Sequence, residues 1–201
     1  MRIRNAARDV VLMGTLAVIG AARERMSIVI FDQSGASERT LQGVAAAVGR
    51  IFHATGIETD WTLCRESKDP ESHCSLPQAG SYLQVILIPK AKGGSANHET
   101  MGMALVTQDQ RAGLCYVYCD PARAMAEDAG QPVSIVLACV VAHEIGHLLG
   151  LRHGEWGIMK RNFERRDVLA AGEDGLHFSL ADARALQRLE LPGHLREDKC
   201  R

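Results

Sequence analysis

Residues 143–159 read HEIGHLLGLRHGEWGIM. On an α-helix, residues four apart stand one above the other, so His143 and His147 present two imidazoles from one face. Two imidazoles so placed can grip a single metal ion. Glu144 adjoins the first of them and is angled beside that ion, where a carboxylate can deprotonate a water. Gly150, three residues past His147, can take the left-handed conformation that ends a helix cheaply. The chain then turns and returns His153 as a third nitrogen. Three protein ligands leave the fourth position of a zinc ion open, the arrangement of a catalytic rather than a structural site. The bland reading is a buried helix whose histidines merely satisfy hydrogen bonds, and it accounts for none of the spacing.

The pattern H-E-x-x-H-x-x-G-x-x-H followed by a methionine resembles the signature of the metzincin zinc metallopeptidases. The resemblance implies one catalytic Zn2+ held by His143, His147 and His153. It makes Glu144 the general base acting on a zinc-bound water, and places Met159, within Trp156-Gly157-Ile158-Met159, beneath the metal. The implied activity is hydrolysis of peptide bonds in a peptide or protein substrate, with Glu144 passing the proton to the leaving nitrogen. The short step from His153 to Met159 is closest to compact, matrixin-like and small bacterial members and implies an abbreviated pocket wall. Gly154 stands where better known subfamilies carry serine, aspartate or glutamate. No tyrosine follows Met159, the three being Tyr82, Tyr116 and Tyr118, which leaves transition-state charge to zinc and backbone donors. Two alternatives stay open. One is a zinc hydrolase of cell-wall peptide or another amide; the other is a catalytically silent zinc-stabilised binding module, against which an intact Glu144 speaks.

With 201 residues, 46% hydrophobic content and six prolines, the chain has the size of one globular domain, expected over residues 23–201. A net charge of −1 gives no electrostatic case for nucleic acid or an anionic membrane surface. Lys160, Arg161, Arg165 and Arg166 form a local basic cluster that reads as a solvated loop, or else as a binding patch for carboxyl-bearing substrate groups. Arg2, Arg4 and Arg8, the apolar stretch from Val10 to Ala22, and the small residues Gly20, Ala21 and Ala22 resemble a secretory signal peptide over residues 1–22. The expected location is therefore secreted or periplasmic. The rival readings are an N-terminal helix of a cytosolic protein and an uncleaved anchor, although the stretch is short for a membrane span. No cysteine-switch segment precedes the first strand, so any latency is expected to arise another way.

The six cysteines contain no C-x-x-C pair, which argues against a second, structural zinc site. Cys64 and Cys74 bracket the polar stretch RESKDPESH and are expected to form a disulfide. Cys115 and Cys119, in one strand, lie too far apart to join each other and need other partners or stay free. Cys139, one turn before His143, is either a fourth soft ligand or, more in keeping with free cysteines, a small core residue.

Ser27 to Phe31 (SIVIF) reads as a strand. A helix follows, with Leu41, Val44, Ala45, Val48, Ile51 and Phe52 at three- and four-residue steps, ended by Gly56. Alternation from Ile57 to Leu63 predicts a half-buried strand, giving a β-α-β opening. Tyr82 to Ile88 (YLQVILI) is continuously apolar and predicts a central strand ending at Pro89. Met101 to Thr107 and Leu114 to Cys119 predict two more, joined by QDQRAG. Pro121 to Asp128 suggests a short helix, and Pro132 opens a long one in which Glu144 is the only charge from Val133 to Leu151. Such a helix suits the centre of a two-layer domain better than a membrane. Ser179 and Asp182 predict a capping box for a helix through about Leu189. By the resemblance, Gly102, Met103, Ala104 and Leu105 form an antiparallel edge strand that pairs with substrate backbone by strand addition. The implied fold class is α+β and zincin-like: a mixed twisted sheet over a central active-site helix, closed by a C-terminal helix. His53, His73, His98, His177 and His194 lack ligand spacing; His177 could fold back toward the cleft.

Overall fold

Alternating side chains along Arg25–Asp32 bury Met26, Ile28 and Ile30 against one layer of helices, and this strand, β1, organises the sheet. The computed structural model describes residues 25–65, 74–77, 82–90, 100–106 and 113–189. The signal-like segment through Ala22, the turn QDQRAG up to Ala112, most of the loop AKGGSANHET, His73, His98, His194 and Cys200 lie outside them.

After β1 the chain enters helix α1 (Glu38–His53), whose first turn is closed by the Ser37 side chain accepting from the Thr40 N–H. Its stripe of Leu41, Val44, Val48, Ile51 and Phe52 is buried, as the periodicity predicts, while Ala45 is only partly buried and Ala47 is buried beside it. Strand β2 (Glu58–Arg65) then pairs parallel with β1, completing the β-α-β unit. Strands β3 (Tyr82–Ile88), β4 (Gly102–Leu105) and β5 (Leu114–Tyr118) extend the sheet to the order β2-β1-β3-β5-β4. β3, the run with no polar alternation, is the central strand. All pairings are parallel except β4 with β5, which is antiparallel and leaves β4 at the edge among the described residues. β4 is shorter than predicted, covering only its middle four residues.

Two helices follow directly. α2 (Cys119–Ala129) begins where the last strand was expected to end, so Cys119 belongs to a helix rather than to β5. α3 (Val133–Leu148) opens behind Pro132 and is buried continuously from Val136 to Gly146. It packs on α1, α2, β4 and β5, which explains a helix apolar on every face. No helix among the described residues is long and apolar enough to cross a membrane. The bridge between Cys64 and Cys74 is present, with Cα atoms 5.4 Å apart. Cys115, Cys119 and Cys139 are free and buried.

The basic cluster is solvated at Arg161, Arg165 and Arg166, which are exposed, but only part of it is loop. Arg165 and Arg166 open a further helix, α4 (Arg165–Gly172), whose N-terminus carries a reciprocal cap between Glu164 and Asp167. Lys160 is largely buried and donates to Asp167 at 2.7 Å and Glu164 at 3.1 Å. The cluster thus ties the turn before α4 to its first residues, and Lys160 has no charge to spare for a substrate. Helix α5 (Leu180–Leu186) has the Ser179–Asp182 capping box in place and ends slightly earlier than expected. Phe178, just before it, stacks on Phe52 of α1 with ring centroids 5.1 Å apart, pinning the C-terminal part to the core. Phe52→Ala is therefore expected to destabilise the fold by about 3–5 kcal/mol in urea unfolding. Leu180→Ala, at a side chain 73% exposed, should change it by less than about 0.5 kcal/mol.

Candidate metal centre

α3 stops at Leu148 because Gly150 adopts φ +85°. The Gly150 N–H then bonds to His147 O and the Leu151 N–H to Gly146 O, both at 2.9 Å, a Schellman termination. This turn sends the chain back along the helix and brings His153 beside His143 and His147. The His147 and His143 Nε2 atoms are 3.0 Å apart, and those of His147 and His153 are 3.1 Å apart.

The protonation of two of these rings follows from their partners. His143 Nδ1 lies 2.7 Å from Ile158 O and His147 Nδ1 lies 2.9 Å from Leu151 O. A carbonyl oxygen only accepts, so each Nδ1 carries a proton, and in the neutral form of each ring Nε2 keeps a bare lone pair. Lone pairs aimed at one another across 3.0 Å repel, and a cation among them converts the repulsion to attraction. Two nitrogens bound at about 2.0–2.1 Å to one tetrahedral ion stand about 3.3 Å apart, close to the spacing seen. Burial, with the neighbouring His147 and His153 adding to it, pushes the His143 imidazole down to about 4, which favours the neutral ligand form. The donor set thus fits a zinc-type ion. Cys139 is not part of it: its thiol is buried in the core and pushed up to about 12 by desolvation.

Glu144, on the next residue of the helix, is only 6% exposed. Burial pushes its carboxyl up to about 7, and a hydrogen bond from the Ala104 N–H opposes the shift. Its charge in turn adds to the burial that raises the Tyr118 phenol at the end of β5, a neighbour that nothing in the sequence singled out.

Beneath the rings, Met159 is fully buried. Gly146 makes room for it, since a Cβ there would run into the Met159 sulfur and stand 3.2 Å from its Cε. The turn carrying Ile158 and Met159 is held from two sides. Gly154 N–H bonds to Met159 O at 2.8 Å, and Ile158 N–H to His177 O at 3.0 Å. Gly157, at φ +77°, has no space for a Cβ against that same His177 carbonyl. His177 therefore serves through its backbone, and the same residue lines a separate cleft of about 700 Å³ with Arg50 and Cys139. Phe163 stacks edge-on against the His143 ring, 5.8 Å between centroids, and Trp156 stands 61% exposed between His153 and Met159. Gly146 and Phe163 carry no signal of their own in the sequence, because each matters only through a residue distant along the chain or one turn away.

Residues 81–154 match the family described as Metallo-peptidase family M12B Reprolysin-like. The fold is similar to metalloproteinase-II from Bacteroides fragilis, at 13% identity and a TM-score of 0.50, over 82% of this chain and 53% of that one. It is also similar to archaemetzincin from Methanopyrus kandleri, at 14% identity and a TM-score of 0.53, over 82% of this chain and 94% of that one. This chain thus spans about half the length of the Bacteroides protein. No curated protein matches the sequence. At these identities the likeness is one of fold. Fold, family match and donor set together resemble those of zincin-type metallopeptidases.

Gly146→Ala should push Met159 out of its seat and cost about 1–3 kcal/mol of stability through overpacking. Gly154→Ala, where the nearest atom to a new Cβ is 3.7 Å away, serves as the control and should change stability by less than about 0.5 kcal/mol.

Proposed function

We propose that the protein is a zinc-dependent endopeptidase in which His143, His147 and His153 hold the ion and Glu144 is the general base. The observation that supports this most is the convergence of three imidazole nitrogens beside a desolvated carboxylate under the open edge of a sheet. Zinc bound there supplies a Lewis acid and lowers the pKa of water from 15.7 to about 7. Glu144 would act as the general base, taking a proton on a carboxylate oxygen as water adds to the peptide carbonyl carbon and returning it to the nitrogen as the C–N bond breaks. Its burial among Cys115, Tyr118 and β4 keeps its basicity close to neutral. The outer-edge main-chain groups of β4 (Gly102–Leu105) would receive the peptide as an added strand, which binds backbone with little regard to sequence.

Met159 supports the floor of the site. The short step from His153 to Met159 favours a compact, matrixin-like member with an abbreviated specificity wall, in which exposed Trp156 is the largest side chain. Secretion or passage to the periplasm is part of the proposal, supported by the signal-like residues 1–22 and by the Cys64–Cys74 bridge, since disulfides persist in oxidising compartments.

Glu144→Gln should retain one equivalent of metal and the wild-type fold while kcat falls about 10²–10⁴-fold. Unchanged turnover would refute the assignment of the base. Chelation of the wild type should abolish cleavage and lower the melting temperature, and added zinc should restore both. A zinc-loaded wild type that cleaves proteins points to the endopeptidase, one confined to muropeptides to a cell-wall amidase, and one that cleaves nothing to a binding module.

A further inference from the structure

We infer that β4 does more than receive substrate: Gly102 and the Ala104 amide position the Glu144 carboxylate. The inference rests on the reading of Glu144 as the base. Its geometry begins with strand register. Met101 stands opposite Tyr118 in the antiparallel pair, and Tyr118 N–H bonds to Met101 O at 2.8 Å. In an antiparallel ladder the opposed residues alternate between those that exchange hydrogen bonds and those that do not. Met103 and Leu105 therefore turn their main-chain groups toward β5, whereas Gly102 and Ala104 turn theirs to the open edge.

That edge is not idle. The Ala104 N–H, which cannot reach β5, donates to the carboxylate of Glu144. The adjacent inward-facing position is Gly102, and the carboxylate occupies the space a side chain would need there. A Cβ on Gly102 would run into Glu144 Oε1 and stand 2.7 Å from its Cγ and 2.8 Å from its Cδ. Three atoms of one side chain are involved, including Cγ near its root, so the end of the glutamate alone cannot swing clear. Side chain and strand are complementary in shape and in hydrogen bonding: the strand is bare where the glutamate lies and offers a donor where its oxygen ends.

Gly102 is thus a positioning residue, since it acts through Glu144. The arrangement also sets the pairing available to a substrate. While Glu144 holds the Ala104 N–H, an added strand finds the Gly102 N–H, the Gly102 C=O and the Ala104 C=O on the edge, so the base occupies one rung of the ladder that the peptide completes.

Two measurements test the inference. In a kinetic cycle on the zinc-loaded protein, Gly102→Ala should lower kcat about 10–100-fold with KM changed less than about threefold, while zinc content stays at one equivalent. In a Glu144→Asp background, whose shorter side chain leaves the space free, the same substitution should lower kcat by less than about threefold. Losses that simply multiply, or a rise in KM at constant kcat, would overturn the role. The second measurement needs neither the Gly102 variant to fold nor any peptidase activity: amide hydrogen exchange in the wild type and in Glu144→Ala. Exchange at Ala104 should quicken at least tenfold in the variant, with Met103 and Leu105 unchanged. Equal exchange at Ala104 in both proteins would overturn the inference while leaving the peptidase reading untouched.

Discussion

Two hydrogen bonds from imidazole to backbone, His143 Nδ1–H to Ile158 O and His147 Nδ1–H to Leu151 O, carry the metal centre. They place the single ring proton on the outer nitrogen and leave the inner nitrogen basic, so the tautomer needed for ligation exists before any ion arrives. Each carbonyl is in turn placed by a turn that needs glycine. Leu151 O is presented by the Schellman termination at Gly150, and Ile158 O by the turn at Gly157 that docks on the backbone of His177. The conformations that only glycine adopts without strain are thus spent where they aim the ligand rings. Met159 and Gly146 complete the support by close contact between sulfur and helix backbone.

The same economy governs Glu144. A carboxylate on a helix buried on all sides would be costly without a partner, and desolvation does raise its pKa. The fold compensates with one main-chain donor at the sheet edge rather than with a counter-ion, which would hold the carboxylate more firmly ionised. Of the cations near the cleft, Lys160 is taken up by Asp167 and Glu164 and Arg166 by Glu164, while Arg161 lies close enough to His153 to lower its pKa.

How far the sequence could be read depended on whether a feature is written in local spacing. The helix with its i, i+4 histidines, the α1 stripe, the apolar run of β3 and the Ser179–Asp182 cap are local, and the structure has those elements at those residues. Element ends were missed where tertiary contact decides them, as at Cys119, which starts α2. α4 was missed because its first turn is so rich in charge that it resembled solvated loop, and only the spacing of Glu164 and Asp167 hinted at a capped helix. The meeting of Gly102 with Glu144 and of Phe163 with His143 lies beyond any local signal, since each joins segments far apart in the chain. The signal-like N-terminus is legible as composition, and its role in export remains part of the proposal.

Zinc K-edge X-ray absorption on the purified, zinc-loaded protein tests the centre most directly. The account predicts a first shell of nitrogen and oxygen only, with three imidazoles at about 2.0–2.1 Å. A sulfur contribution near 2.3 Å, or a fit requiring only two imidazoles, would contradict it.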